Sequence, residues 1–171
     1  MKESEQIKRQ LISHLQGGEA FVPIEELLKF IPYDELGKRP GNLPYSFYEV
    51  FYHIWFAQKD ILDYCLSKEY HIPNWPDDYW PAENSPKNEQ SWTALQHQYF
   101  EERDNFSKYI KDPGTDLLVP LSNGKKHNLL REILLVTEHT AYHTGQLVVI
   151  LRELGFYGNN RKVNETDGIN F

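Results

Sequence analysis

The longest regular pattern in the chain runs from Asn128 to Gly155, NLLREILLVTEHTAYHTGQLVVILRELG. Leu130, Ile133, Leu134 and Thr137, then Leu147, Ile150, Leu151 and Leu154, recur at gaps of three and four. That is the apolar stripe of an amphipathic α-helix. Asn128 is placed to cap its start and Gly155 to end it. Helical throughout, the segment would be ~39 Å long, the length of a bundle helix. A second long helix is expected from Ser46 to about Ser67, where Ser46 and Glu49 fit a capping box. It is apolar nearly all round from Val50 to Phe56, which predicts burial of that part. A third, with Ser91 as N-cap, ends before Pro113 and shows the face Trp92, Leu95, Tyr99, Phe106, Tyr109 and Ile110. Residues 3–16 form a shorter helix with the stripe Ile7, Leu11, Ile12 and Leu15, stopped by Gly17 and Gly18.

The connections read differently. Pro23 opens a short helical turn followed by Glu25 and Glu26, acids at its positive end. Residues 32–45 hold three prolines and two glycines between apolar flanks, so they join elements and do not divide domains. Residues 70–90 (YHIPNWPDDYWPAENSPKNEQ) carry four prolines, a density no helix survives. A loop this long suggests a functional cover or a partner surface; alternatively, Trp75, Tyr79 and Trp80 simply pin it to the bundle. Residues 112–127 contain the tight-turn signal Ser122-Asn123-Gly124, with a short extended arm on each side. From about residue 156 the tail has no period, and Phe156 and Tyr157 are expected to anchor its start. No internal repeat is present. The pattern predicts an all-α chain, one four-helix bundle domain over residues 1–171.

Composition narrows the function. The 171 residues carry 18 basic and 25 acidic side chains, a net charge of −7. No basic run exceeds a pair, which argues against nucleic-acid binding through phosphate neutralisation. No apolar run is long enough to span a membrane. The polar start MKESEQIKRQ does not read as a signal peptide, and the single Cys65 cannot form an internal disulfide. A cytoplasmic location is the expectation. Cys65 sits among apolar positions and reads as core.

Seven histidines are candidates for chemistry. His139 and His143 lie one helical turn apart, on or beside the core-facing side of the last long helix. His53 lies in the most apolar part of another. Three buried imidazoles on two helices can converge on one cation, with a position left for water or substrate. They can equally be core histidines bonded to Tyr, Thr or backbone carbonyls. Asp60, two turns after His53, and Gln146 and Tyr142, beside His143, are candidates for the layer behind such a site. Glu138 points ~100° away from His139, and no Glu stands between the histidines as a zinc protease would need. His14, His71, His97 and His127 read as surface residues.

The segments SFYEVFYHIWFAQKDIL and LLREILLVTEHTAYHTGQLVVILRELG resemble the DinB/YfiT-like superfamily, most specifically in E-H-x-A-Y-H-x-G-Q-L. NWPDDYWP followed by SP, and GGEAFVPIEELL, resemble one branch of it. The resemblance extends to about Gly155. It implies an up-down-down-up four-helix bundle, often a homodimer, holding one divalent metal (Ni, Zn, Co or Fe) on three histidines. By motif position these are His53, His139 and His143. Some relatives are transferases or isomerases that use a low-molecular-weight thiol such as bacillithiol or mycothiol. Others are called hydrolases, so the family does not fix the reaction; the first expectation is a metal-dependent thiol S-transfer on a small-molecule substrate. The alternatives are a metal-dependent hydrolase that activates water and a non-catalytic stress or binding protein whose metal is structural.

Overall fold

The computed structural model describes residues 2–158. Five α-helices and one small hairpin follow in the order α1 (Lys2–Gln16), α2 (Ile24–Leu27), α3 (Phe47–Leu66), α4 (Glu89–Lys111), β1 (Pro120–Leu121), β2 (Gly124–Asn128) and α5 (Leu129–Glu153). Two single 3-10 turns, Tyr33–Glu35 and Asp77–Tyr79, interrupt the connections. Of the tail beyond Gly155, Phe156 and Tyr157 pack against the core as expected. The rest of it, from residue 159, lies outside the described residues.

Local chemistry explains the starts. At α3 the Ser46 hydroxyl accepts from the Glu49 N–H at 3.2 Å, and the Glu49 carboxylate accepts from the Ser46 N–H at 2.7 Å. This is the expected capping box, a feature that stabilises a helix by ~1 kcal/mol. Asn128 caps α5 by accepting from the Arg131 N–H at 2.9 Å. The expectation for α4 needs correction. Its cap is Asn88, and Ser91 sits three residues inside, donating and accepting in a reciprocal box. Both are good capping residues, so composition alone does not separate them. Gly17 and Gly18 take φ of +79° and +92° after α1, a region side chains resist.

The connectivity follows from pairs that cross between helices. On α3 and α4, Tyr48 and Phe51 meet Trp92, Phe51 also meets Tyr99, and Gln58 donates to the Tyr99 carbonyl. The numbers rise together, so these helices are parallel. Between α3 and α5, Gln146 donates to Tyr45 while Tyr64 meets His127, so they are antiparallel. Lys8 reaches the carbonyls of Asp112 and Thr115, and Arg103 donates to that of Gln16, which makes α1 antiparallel to α4. The bundle is up-down-down-up. Among the described residues no helix is long and apolar enough to cross a membrane.

Two apolar clusters fill the bundle. One joins α2, α3, α4 and the end of α5 through Leu27, Phe47, Phe51, Ile54, Tyr99, Leu147 and Ile150. The other joins α1 to the far ends of α3, α4 and α5 through Leu15, Cys65, Phe106, Leu129 and Ile133. Cys65 is core, as expected. Some stripe residues are not. Leu134 and Ile7 are about half exposed, at 54% and 46%. On α3 the residues Tyr52, Trp55 and Phe56 are only partly buried and pack on one another along the outer face. A wheel position at the edge of a stripe meets solvent when no neighbouring helix covers it.

Candidate metal centre

The antiparallel register of α3 and α5 sets His53 opposite His139 and His143. The Nε2 atoms of His53 and His139 are 3.0 Å apart, and all three imidazoles pair tilted or edge-on with ring centroids 4.4–4.9 Å apart. One ring nitrogen from each lies within 4.8 Å of the other two. His53 and His143 are buried and His139 is partly so.

The remaining nitrogens show which atoms face inward. His53 Nδ1 bonds the Tyr79 backbone carbonyl at 3.1 Å. His143 Nδ1 bonds Gln146 Oε1 at 2.6 Å, and the Gln146 amide donates to the Tyr45 hydroxyl at 3.0 Å. A carbonyl can only accept, so each of these Nδ1 atoms carries the proton and each Nε2 keeps its lone pair. The Nδ1 of His139 is buried without a partner. Burial holds all three imidazoles neutral: it lowers His53 to about 4 and His139 to about 3, and it lowers His143 as well. Their mutual proximity adds to the effect at His53 and His139.

Neutral imidazoles with Nδ1–H tied to carbonyls are the form in which histidine binds a metal. A cation ~2.1 Å from each nitrogen needs no pair more than ~4.2 Å apart, so the cluster closes on an ion with small ring movements. The donor set suits Zn²⁺, Ni²⁺, Co²⁺ or Fe²⁺. Without an ion, the only bond open between His53 and His139 is Nε2–H of His139 donating to Nε2 of His53. That leaves the buried Nδ1 of His139 as an acceptor with nothing to accept.

Aromatic side chains enclose the cluster. Trp80 stacks flat on His53 at 4.2 Å and 2°, and Tyr79 and Trp75 stand 6.2 and 6.3 Å from the same ring. Tyr142 meets His143 edge-on at 4.9 Å, with two thirds of its own surface exposed. Residues 23–147 match the DinB superfamily. The chain belongs to that superfamily. No curated protein and no solved structure matches the chain. The DinB match runs from the turn before α2 to Leu147 and so includes all three histidines.

The other sequence candidates fall into place unevenly. Gln146 holds His143 directly. Tyr142 touches His143 at the rim. Asp60 does not reach the imidazoles, and both of its oxygens accept from tyrosines, Tyr70 at 2.7 Å and Tyr79 at 2.5 Å. His14, His71 and His97 are exposed as expected. His127 is not a bare surface residue: it is about half exposed and bonds Tyr64 and the buried Glu132. The Tyr79 carbonyl and the Trp80 stack escaped sequence reasoning as parts of the site. The signals available were the length of the loop and its aromatics, which suggest a cover, a partner surface or pins and not contacts to His53.

Proposed function

We propose that this protein holds one divalent cation on Nε2 of His53, His139 and His143 and uses it to transfer a low-molecular-weight thiol to a small electrophile. The observation that carries the reading is the convergence of three neutral imidazoles whose outer nitrogens are tied or buried. When bound, the dication supplies the positive charge that keeps a thiol ionised near neutral pH.

The choice of thiol over water follows from what surrounds the cluster. Among the described residues no carboxylate joins the three histidines. Asp60 is committed to two tyrosines. A thiol, with a pKa of ~8.5, needs a shift of only a unit or two to ionise at neutral pH. Water, at ~15.7, needs the much larger shift to ~7 that a dication on three imidazoles can also supply, so a bound thiol is the more readily ionised of the two. The residues of the chain then bind and orient. Gln146 fixes the His143 ring, Trp80 covers the face of His53, and Tyr142 lines the rim. In the transfer a sulfur–carbon bond forms as the carbon–leaving-group bond breaks, and the thiol proton passes to solvent.

The test is metal content by ICP-MS on protein purified without a nickel column, followed by monochlorobimane consumption with bacillithiol, glutathione or coenzyme A. About one equivalent of metal in the wild type, lost in His53→Ala and His139→Ala, with thiol-dependent dye conjugation abolished by chelation, is the expected result. Metal with thiol-independent turnover of esters or amides would move the reading to hydrolysis. A metal-free protein that takes up none on titration would overturn it.

A further inference from the structure

Behind the histidines lies a second arrangement that the proposed chemistry does not use. Asp60 stands two helical turns beyond His53 on α3, and its two carboxylate oxygens are divided between two hydroxyls of the loop after α3. Tyr70 donates to Oδ1 at 2.7 Å and Tyr79 to Oδ2 at 2.5 Å. Burial, and then the bonds to Asp60, push both phenols above their usual range, so both remain donors. Tyr79 also turns back. Its backbone carbonyl accepts from His53 Nδ1 at 3.1 Å, and its neighbour Trp80 lies flat on the same imidazole. Asn74 adds a local tie by donating its backbone N–H to Asp78 at 2.7 Å, within the turn that presents Tyr79.

We propose that Asp60 is a positioning residue for the metal centre, setting the tautomer and tilt of His53 through the Tyr79 hydroxyl and carbonyl. The inference rests on the metal-binding part of the proposed function. His53 has no partner for Nδ1 on its own helix. The partner comes from a loop that carries four prolines and, apart from the single 3-10 turn Asp77–Tyr79, no helix, so its position depends on its attachments to the bundle. The bond from Tyr79 to Asp60 anchors the residue that supplies the carbonyl. Removing it leaves His53 buried but free to rotate or to move its proton to Nε2, the tautomer whose inward nitrogen has no lone pair for a cation. The Tyr70 arm anchors the same carboxylate from earlier in the loop, away from the residues that meet His53.

The experiment is a Co²⁺ titration of the full-length protein, read by visible absorbance and by competition with a chelator. The variants are Asp60→Asn, Tyr79→Phe and Tyr70→Phe, with melting temperature measured beside each. Loss of a partner behind a metal-bound histidine typically weakens binding 10- to 100-fold. Asp60→Asn and Tyr79→Phe are expected to fall in that range and to change the Co²⁺ spectrum, with Tyr70→Phe close to wild type. Should Asp60→Asn fail to fold, Tyr79→Phe carries the test alone. Variants that melt lower yet bind Co²⁺ with wild-type affinity and spectrum overturn the inference and leave the metal site standing. A wild type that binds no Co²⁺ overturns both.

Discussion

Replacing His139 by Leu separates a metal ligand from a core histidine, because the two roles have opposite energetic signatures. Without metal, the variant loses the His139–His53 contact at 3.0 Å and leaves His53 Nε2 without its neighbour. It also removes the Nδ1 of His139, which is already buried and unpartnered. One orphaned polar atom is exchanged for another, each a burden of ~1–3 kcal/mol. Leu is of similar size and has a helix propensity better by a few tenths of a kcal/mol. The net change in chelator is within ~1 kcal/mol, or ~4 °C for a chain of this length. With metal at a hundred times its Kd, the wild type gains ~2.7 kcal/mol and the variant gains nothing. The wild type then melts ~5–11 °C higher. Scanning calorimetry in EDTA and in excess Zn²⁺ reads both numbers. If the variant melts far below wild type in EDTA and Zn²⁺ moves neither curve, the imidazole is a satisfied core side chain and the reasoning about the trio fails.

Two further outcomes come from groups away from the trio. Burial pushes the Glu102 carboxyl up to about 7, against the smaller pull of Lys59. The folded state therefore keeps a proton that the unfolded chain releases near pH 4.5, so stability falls as pH rises from about 4.5 to 7 and is level above. After discounting for its half-buried setting, Glu102→Gln should match wild type at pH 4 and exceed it by ~1–2 kcal/mol at pH 8 in urea titrations with EDTA present. An equal difference at both pH values would assign the effect to packing. Cys65 is 6% exposed, and burial pushes its thiol up to about 12, so it should resist DTNB in the native protein and react at once in guanidinium. Rapid native labelling would place it at the surface.

What could be read from the sequence divides by the range of the interaction concerned. The Ser46–Glu49 box, the Asn128 cap and the glycines after α1 depend on neighbours within four residues, and each is found where its residues predict. Choosing between Asn88 and Ser91 required knowing which of two good caps takes the extended conformation, which tertiary packing decides. Leu134 belongs to the stripe of α5 by spacing, but no helix lies over its side of the wheel. For the site, His139 and His143 share a helix face by geometry alone. Their meeting with His53 depends on the antiparallel register of α3 and α5, which no local pattern encodes; the family resemblance supplied it. The partner of His53 is a backbone carbonyl, invisible to any reading of side chains. Asp60 stands on the right face for a role near His53, and only the path of the loop brings the Tyr79 hydroxyl to its carboxylate.

That path is itself a consequence of the topology. Because α3 and α4 are parallel neighbours, the chain leaving Leu66 must return to the opposite end of the bundle before α4 can begin. The 20 residues of α3 span ~30 Å, so no short turn can make the connection. Residues 67–88 run the length of the bundle as a strap, and its far end is tied beside the start of α3. There Ser46 donates to the Asn84 carbonyl at 2.6 Å, and the Asn84 amide donates to the Gly37 carbonyl at 3.1 Å. Gly37 lies so near the strap that an added Cβ would come within 2.6 Å of Ser85. His53 lies between the strap's two ends, in the second turn of α3, where the strap passes. A loop too long for an ordinary helix connection is required by a down-down pair, and its passage over His53 places the Tyr79 carbonyl and the Trp80 ring on the imidazole. In an up-down-up-down bundle with short turns, that histidine would need its partner from another helix.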